Sequence, residues 1–219
     1  MYRTPEWNYD PNEDIIDRMR KRKQKSFVNY SLVAINIIIF FLVELTGGAD
    51  NAEHMIQCGA AYTPLLQEGE YYRLFTSMFL HFDLRHLLNN MVLLFFLGDY
   101  VERYLGKIKY IIVYLGGGIL GSLFSYRIEI QQGESVISAG ASGAIFAVLG
   151  SMVMLLLINR GRLEDLSLLR VAVMAGLSLY VGFQSSGVDG FAHLGGFIGG
   201  MLLTAVIGMM QKIRRKQSR

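Results

Sequence analysis

Apolar residues fall into six long runs along this chain, at about 27–46, 84–105, 108–127, 139–158, 167–184 and 190–211, separated by shorter polar segments. Each run is close to the roughly 20 residues that a helix rising 1.5 Å per residue needs to cross the hydrocarbon of a bilayer. The pattern therefore predicts an all-α polytopic membrane protein, a bundle of six transmembrane helices. The segment between the first two runs, about 47–83, is far longer than the other connections and mixes Asp50, Glu53, Glu68 and Glu70 with apolar and aromatic residues. Segments of that length usually carry structure or function of their own. It is expected to be partly helical and to lie against the outer leaflet, with Tyr71 and Tyr72 at headgroup depth.

The bulk composition agrees. Of 219 residues 52% are hydrophobic and 18% charged, and the mean hydropathy is +0.34, too oily for an ordinary soluble domain of this size. The net charge of +3 matters less than where the cations sit, because cytoplasmic flanks of membrane spans collect Lys and Arg. Arg18, Arg20, Lys21, Arg22, Lys23 and Lys25 precede the first run. Arg103, Lys107, Lys109, Arg160, Arg162 and Arg170 fall at alternate connections, and Lys212, Arg214, Arg215, Lys216 and Arg219 close the chain. Arg73, Arg85 and Arg127 are left for the other side. Both termini are thus expected in the cytoplasm, which requires an even number of spans. The first run follows about 26 polar residues without a small-residue cleavage site, so it reads as a retained span and not as a signal peptide. The expected organisation is a basic tail over 1–26, a six-span domain over 27–211 and a second basic tail over 212–219, in the cell membrane.

Cysteine and histidine usage narrows the chemistry. The single cysteine, Cys58, excludes an intramolecular disulfide, and no Cys/His cluster has zinc spacing. No metal, nucleotide, cofactor or nucleic acid is expected; the partners expected are the lipid bilayer and transmembrane protein substrates. A zinc protease of the membrane would need a motif such as His-Glu-x-x-His, and an aspartyl type two intramembrane aspartates, where only Asp99 is found.

Polar groups that persist inside a span are functional candidates because lipid makes them costly. The second run opens with His86 and Asn90, four residues apart and so on one helix face. The fourth opens with Gly140-Ala141-Ser142-Gly143 and the sixth with Ala192-His193-Leu194-Gly195-Gly196. From a cytoplasmic N-terminus the second, fourth and sixth spans all run inward from the outer face, so these residues share a shallow depth and can converge. A serine at a helix start lies beside unpaired backbone N–H groups and the positive end of the helix dipole, surroundings suited to an oxyanion. For acyl transfer the hydroxyl of Ser142 needs a base, which His193 supplies. The oxyanion candidates are the Ser142 N–H, the His86 imidazole and the Asn90 amide. The only acid near the sixth span's approach is Asp189, so a Ser-His dyad is expected, with His193 held by packing and not by a carboxylate. Glycines in the third, fourth and sixth runs, among them Gly117, Gly143, Gly150, Gly196 and Gly200, allow close approach of helices.

At these residues the chain resembles the rhomboid intramembrane serine proteases, from the long outer loop to the end of the sixth run. Gly140-Ala141-Ser142-Gly143 is similar to the family's Gly-x-Ser-Gly nucleophile motif, and Ala192-His193 with Gly196 and Gly200 resembles its base-bearing helix. His81 to Asn90 looks like the second-span signature whose later His and following Asn help form the oxyanion hole. Tyr72-Arg73 stands where the family usually has Trp-Arg, and Glu102 falls on its Glu-x-Arg motif; the resemblance makes Arg73 and Glu102 structural. Many rhomboids carry a Tyr stacked on the catalytic imidazole four residues after the serine, where this chain has Phe146, a change that keeps the ring face and is expected to preserve activity. No seventh span or sizeable soluble domain is expected. The resemblance implies cleavage of transmembrane helices with weak, helix-breaking outer ends, and entry is expected sideways from lipid. Water is expected to arrive through a polar cavity open to the outer side, with the short loop Gln184–Gly190, which holds Ser185 and Ser186, as a mobile cap. The alternatives are a catalytically inactive relative that binds transmembrane clients, and a transporter or channel built from glycine-rich spans.

Overall fold

The computed structural model describes residues 25–159, 161–163, 166–185 and 187–217, and for 162, 163 and 211–217 the backbone course alone. The basic cluster at 18–23 and nearly all of the first predicted tail, residues 218–219 and the side chains of the second, Arg160, the side chain of Arg162 and Ser186 lie outside the described residues. Among the described residues six helices have 17 residues or more: α1 (Phe27–Thr46), α2 (Leu84–Leu105), α3 (Lys107–Gln132), α4 (Ser142–Ile158), α5 (Leu168–Gln184) and α6 (Gly190–Gln217). By length and composition α1, α3 and α6 can each cross a membrane, and α4 and α5 are shorter apolar helices. Helix α2 is long but carries Asp99, Glu102 and Arg103 in its last two turns.

The long runs became helices close to where their apolar residues lie, and the differences have local causes. The third begins one residue earlier and ends five later than 108–127, stopping at Gly133 in the left-handed region (φ 68°), which closes the C-terminus. Its second turn widens into a π segment at Ile112–Gly116, just ahead of Gly117. The fourth begins at Ser142 and not at 139, because Ile137–Ser138 is a short strand and Gly140 has a φ of 143°, a conformation that a helix cannot include.

Helix α4 sits at the centre. Its residues from Gly143 to Val153 are all buried, as a helix that is apolar all round requires, and α2, α3, α5 and α6 surround it. Glycines set the closest approaches. A Cβ on Gly196 or Gly200 of α6 would collide with the Gly143 or Ala147 carbonyl of α4, one on Gly150 with the Phe197 carbonyl, and one on Gly121 of α3 would come within 2.6 Å of the Ala192 carbonyl. In lipid, where hydrophobic burial does not drive helices together, such backbone contact is what holds them. Helices α1 and α5 pack less closely: Ile38, Phe41, Leu42 and Leu45 on α1, and Leu169, Leu177 and Tyr180 on α5, stay largely exposed.

The connection 47–83 is ordered, as expected in part helical: Ala52–Gln57, Thr63–Gln67, Arg73–Thr76 and a 3₁₀ turn at Ser77–Phe79. Arg73 staples it. Its buried guanidinium donates to the carbonyls of Ile56 (2.6 Å) and Ala60 (3.0 Å) and pairs with Glu70 at 2.7 Å. The strand Ala61–Tyr62, β1, pairs antiparallel with Ile137–Ser138, β2, Ala61 facing Ser138. This ties the 47–83 connection to the segment that leads into α4. At the opposite end Glu102 accepts the backbone N–H groups of Val28 (3.1 Å) and Asn29 (2.6 Å), closing the open start of α1.

Candidate active site

The starts of α2, α4 and α6 come together around Gly140. Asp83 caps α2 by accepting the His86 N–H at 2.7 Å, and this fixes the first turn from which His86 and, one turn on, Asn90 project. A Cβ built on Gly140 would stand 2.9 Å from the Cε1 and Nε2 atoms of His86 and 3.7 Å from the Nδ2 of Asn90. Both side chains therefore close on the backbone two residues before Ser142, and only glycine leaves them room. The Gly140 N–H donates to the Ser77 carbonyl at 3.0 Å, so the 47–83 connection holds this turn in place. Asn90 is 5% exposed, and its buried Nδ2, a donor turned toward Gly140, has no hydrogen-bond partner among the described residues.

Ser142 is the first residue of α4 and is half-buried. The N–H groups of a helix's first turn have no carbonyl a turn earlier to receive them, so those of Ser142 and Gly143 point out of the helix start. One turn along the same face, Phe146 stacks on His193, ring centroids 4.2 Å apart and planes 17° from parallel. His193 is 6% exposed, and its buried Nδ1 has no hydrogen-bond partner. A Cβ on Gly182 of α5 would stand 2.8 Å from that nitrogen. Gly143 lies beside Ala192, with its own ideal Cβ 3.5 Å from the Ala192 carbonyl, and Gly196 lies against Gly143. No hydrogen bond joins Ser142 to His193 among the described residues; Phe146, packed on one and a turn from the other, relates them.

Two predicted residues stand apart from this centre, Arg73 in the 47–83 connection and Glu102 at the far end of α2, each holding backbone as described above. His81 is buried edge-on to His86, centroids 5.1 Å apart, and Phe82 stacks parallel to His86 at 6.5 Å. Burial pushes His81 down to about 3, with the neighbouring His86 adding to the effect. Sequence reasoning missed the caps Asp83 and Asp189 and the hydroxyl–carboxyl chain of Thr63, Ser125 and Glu129. An Asp three residues before the His of one motif, and another before the Ala-His of the other, were the available signals. Among the described residues no group of three His, Cys, Asp or Glu side chains is placed to hold a metal ion. An open depression of about 520 Å³ along α5, lined by Leu169, Val173 and Leu177 among others, touches none of the site residues.

A bundle of long apolar helices with lipid-type surfaces and a polar centre near one end defines a multi-pass membrane protein. The Rhomboid domain family matches residues 68–210, and the chain belongs to the rhomboid family. It is 35% identical over 199 residues to Rhomboid protease GluP of Bacillus subtilis (strain 168), which covers 88% of this chain and 38% of that protein. It is 33% identical over 208 residues to Rhomboid protease AarA of Providencia stuartii, covering 84% of this chain and 74% of that protein. With RHOMBOID-like protein 7 of Arabidopsis thaliana it shares 36% identity over 145 residues, 65% of this chain and 45% of the relative. The chain thus spans less than half the length of the first and third of these proteins.

Proposed function

We propose that this chain is an intramembrane serine endopeptidase that cuts transmembrane segments near the outer face of the bilayer. The observation that carries the proposal is the stacking of His193 on Phe146 at 4.2 Å, because Phe146 shares a helix face with Ser142, one turn away. In this reading His193 takes the Ser142 proton as the hydroxyl attacks the scissile carbonyl, then returns it to the leaving amine. The negative oxygen of the tetrahedral intermediate is received by the Ser142 N–H, the unpartnered Asn90 amide and the His86 imidazole. Water then releases the acyl-enzyme. Gly140 and Gly143 keep this space open, and Gly196 lets α6 approach closely enough for its imidazole to serve α4.

The catalytic unit is the six-span region 27–211, with both basic ends in the cytoplasm and the site opening outward. Substrates are membrane proteins whose spans carry small or helix-breaking residues at the outer end, since a peptide bond inside a firm helix is shielded by its own hydrogen bonds. The chain needs no cofactor in this scheme. The test reconstitutes wild type, Ser142→Ala and His193→Ala in lipid with a single-span model substrate and maps the products by mass spectrometry. Cleavage within the substrate's outer half by wild type alone supports the proposal. Cleavage that survives either substitution overturns the assignment of that residue, and a folded wild type that binds the substrate without cutting it favours the inactive, client-binding alternative.

A further inference from the structure

The polar cluster behind His193 is connected more extensively than a helix cap requires. Asp189, the residue before α6, accepts the Ala192 N–H on Oδ1 at 2.8 Å, the ordinary capping bond. The same Oδ1 also accepts the hydroxyl of Ser125 from α3 at 2.7 Å, and Oδ2 accepts that of Ser138 from β2 at 3.3 Å. Ser125 is buried and lies 3.2 Å from Glu129 Oε1, and Glu129 Oε2 accepts the Thr63 hydroxyl at 2.7 Å. Thr63 follows β1, and its Oγ1 accepts the Val136 N–H at 3.1 Å. One carboxylate thus touches the start of the helix that bears the imidazole, the neighbouring helix, and the strand four residues ahead of Ser142.

The imidazole needs such a fixture. No side chain bonds its Nδ1, so its aim depends on ring packing and on the rotation of the first turn of α6. His193 is the residue whose N–H reaches back to the Asp189 carbonyl, at 3.2 Å, so the anchoring of residue 189 sets where residue 193 points. A capping side chain alone holds the axis of a helix start; hydroxyl contacts from α3 and β2 also fix its rotation. We infer that Asp189 is a positioning residue for the reaction, locking α6 to Ser125 and Ser138 so that His193 faces the segment carrying Ser142. The Thr63–Glu129 pair extends that lock to the outer connection. This inference rests on the proteolytic reading above.

The variants that separate positioning from capping are Asp189→Ser and Asp189→Asn. Serine still caps but is too short to hold Ser125 and Ser138, whereas asparagine keeps one oxygen for Ala192 and Ser125 and an amide to bond Ser138. Full-length chains are reconstituted with the single-span substrate, and kcat, KM and the thermal midpoint are measured. Asp189→Ser is expected to lower kcat about ten- to a hundredfold with KM within about twofold, because small displacements of a reacting group carry losses of that order. Asp189→Asn is expected to stay within a few-fold of wild type. Thr204→Val, which removes the buried 2.7 Å bond to Ser151 between α6 and α4, controls for stability: its midpoint falls and its kcat holds. Wild-type kcat in Asp189→Ser, or a kcat loss in Thr204→Val equal to that in Asp189→Ser at the same loss of stability, overturns the inference alone. A folded wild type with no cleavage takes down the proteolytic reading and this inference with it.

Discussion

The imidazole of His193 is held through its ring and not through its nitrogens. Phe146 covers one face, and the bare backbone of Gly182 leaves space at Nδ1. Replacing Phe146 by alanine removes the stack and is expected to lower kcat about tenfold, whereas Phe146→Tyr keeps the ring and the rate. Gly182→Val places a branched side chain where Nδ1 now lies, and reaction with a serine-directed fluorophosphonate should fall by more than in Phe146→Ala. A different residue-scale prediction concerns His81, which lies outside the long helices. It is neutral in the fold down to about pH 3, whereas an unfolded histidine binds a proton below about pH 6.5. Its contribution is therefore intact above that value, and stability declines as pH falls from about 6.5 toward 3. His81→Gln should flatten that part of a plot of thermal midpoint against pH; an unchanged slope would assign the acid sensitivity elsewhere. His86, Asn90, Ser142 and His193 were legible in the sequence because each is polar near the start of an apolar run. Asp83 and Asp189 were not, because a cap is defined by where a helix begins, and the hydrophobic pattern leaves that uncertain by several residues.

Close backbone contact carries the bundle at the scale of elements. Gly150 and Gly200 sit where α4 and α6 touch, and a side chain at either meets a carbonyl of the other helix. Gly200→Val should therefore destabilise by about 1–3 kcal/mol, as overpacked interiors do, measured as a lower midpoint with cleavage lost in step with folding. At the far end, Glu102→Ala uncovers the Val28 and Asn29 N–H groups that its carboxylate receives. Loss of these charged bonds should cost about 2 kcal/mol and loosen α1 without changing the kcat of the folded fraction. The helices themselves were readable from apolar length, with α1 and α2 matching the predicted runs in full. The π segment at Ile112–Gly116 and the late start of α4 were not: the first stands just ahead of Gly117, which packs on Ala147 of α4, and the second follows from the pairing of β2 with β1 and the φ of Gly140, none of which the local run of apolar residues shows.

The whole molecule is an asymmetric object, with the 47–83 connection stapled by Arg73 at one end of the bundle and the Glu102 lock at the other. The proposed orientation puts Cys58, the chain's one cysteine, on the outer side. In intact cells the Gln57→Cys, Cys58→Ser variant, with its thiol at an exposed position, should react with a membrane-impermeant maleimide; labelling only after lysis would invert the topology and place the site on the inner face. The proposed proteolysis turns on one hydroxyl being activated by one imidazole across two helices. Mass-spectrometric mapping of the fluorophosphonate adduct on folded wild type and His193→Ala tests this most directly. A single adduct on Ser142 in wild type that is absent from His193→Ala is the predicted result; an adduct on another residue, or labelling of Ser142 that persists without His193, would contradict it.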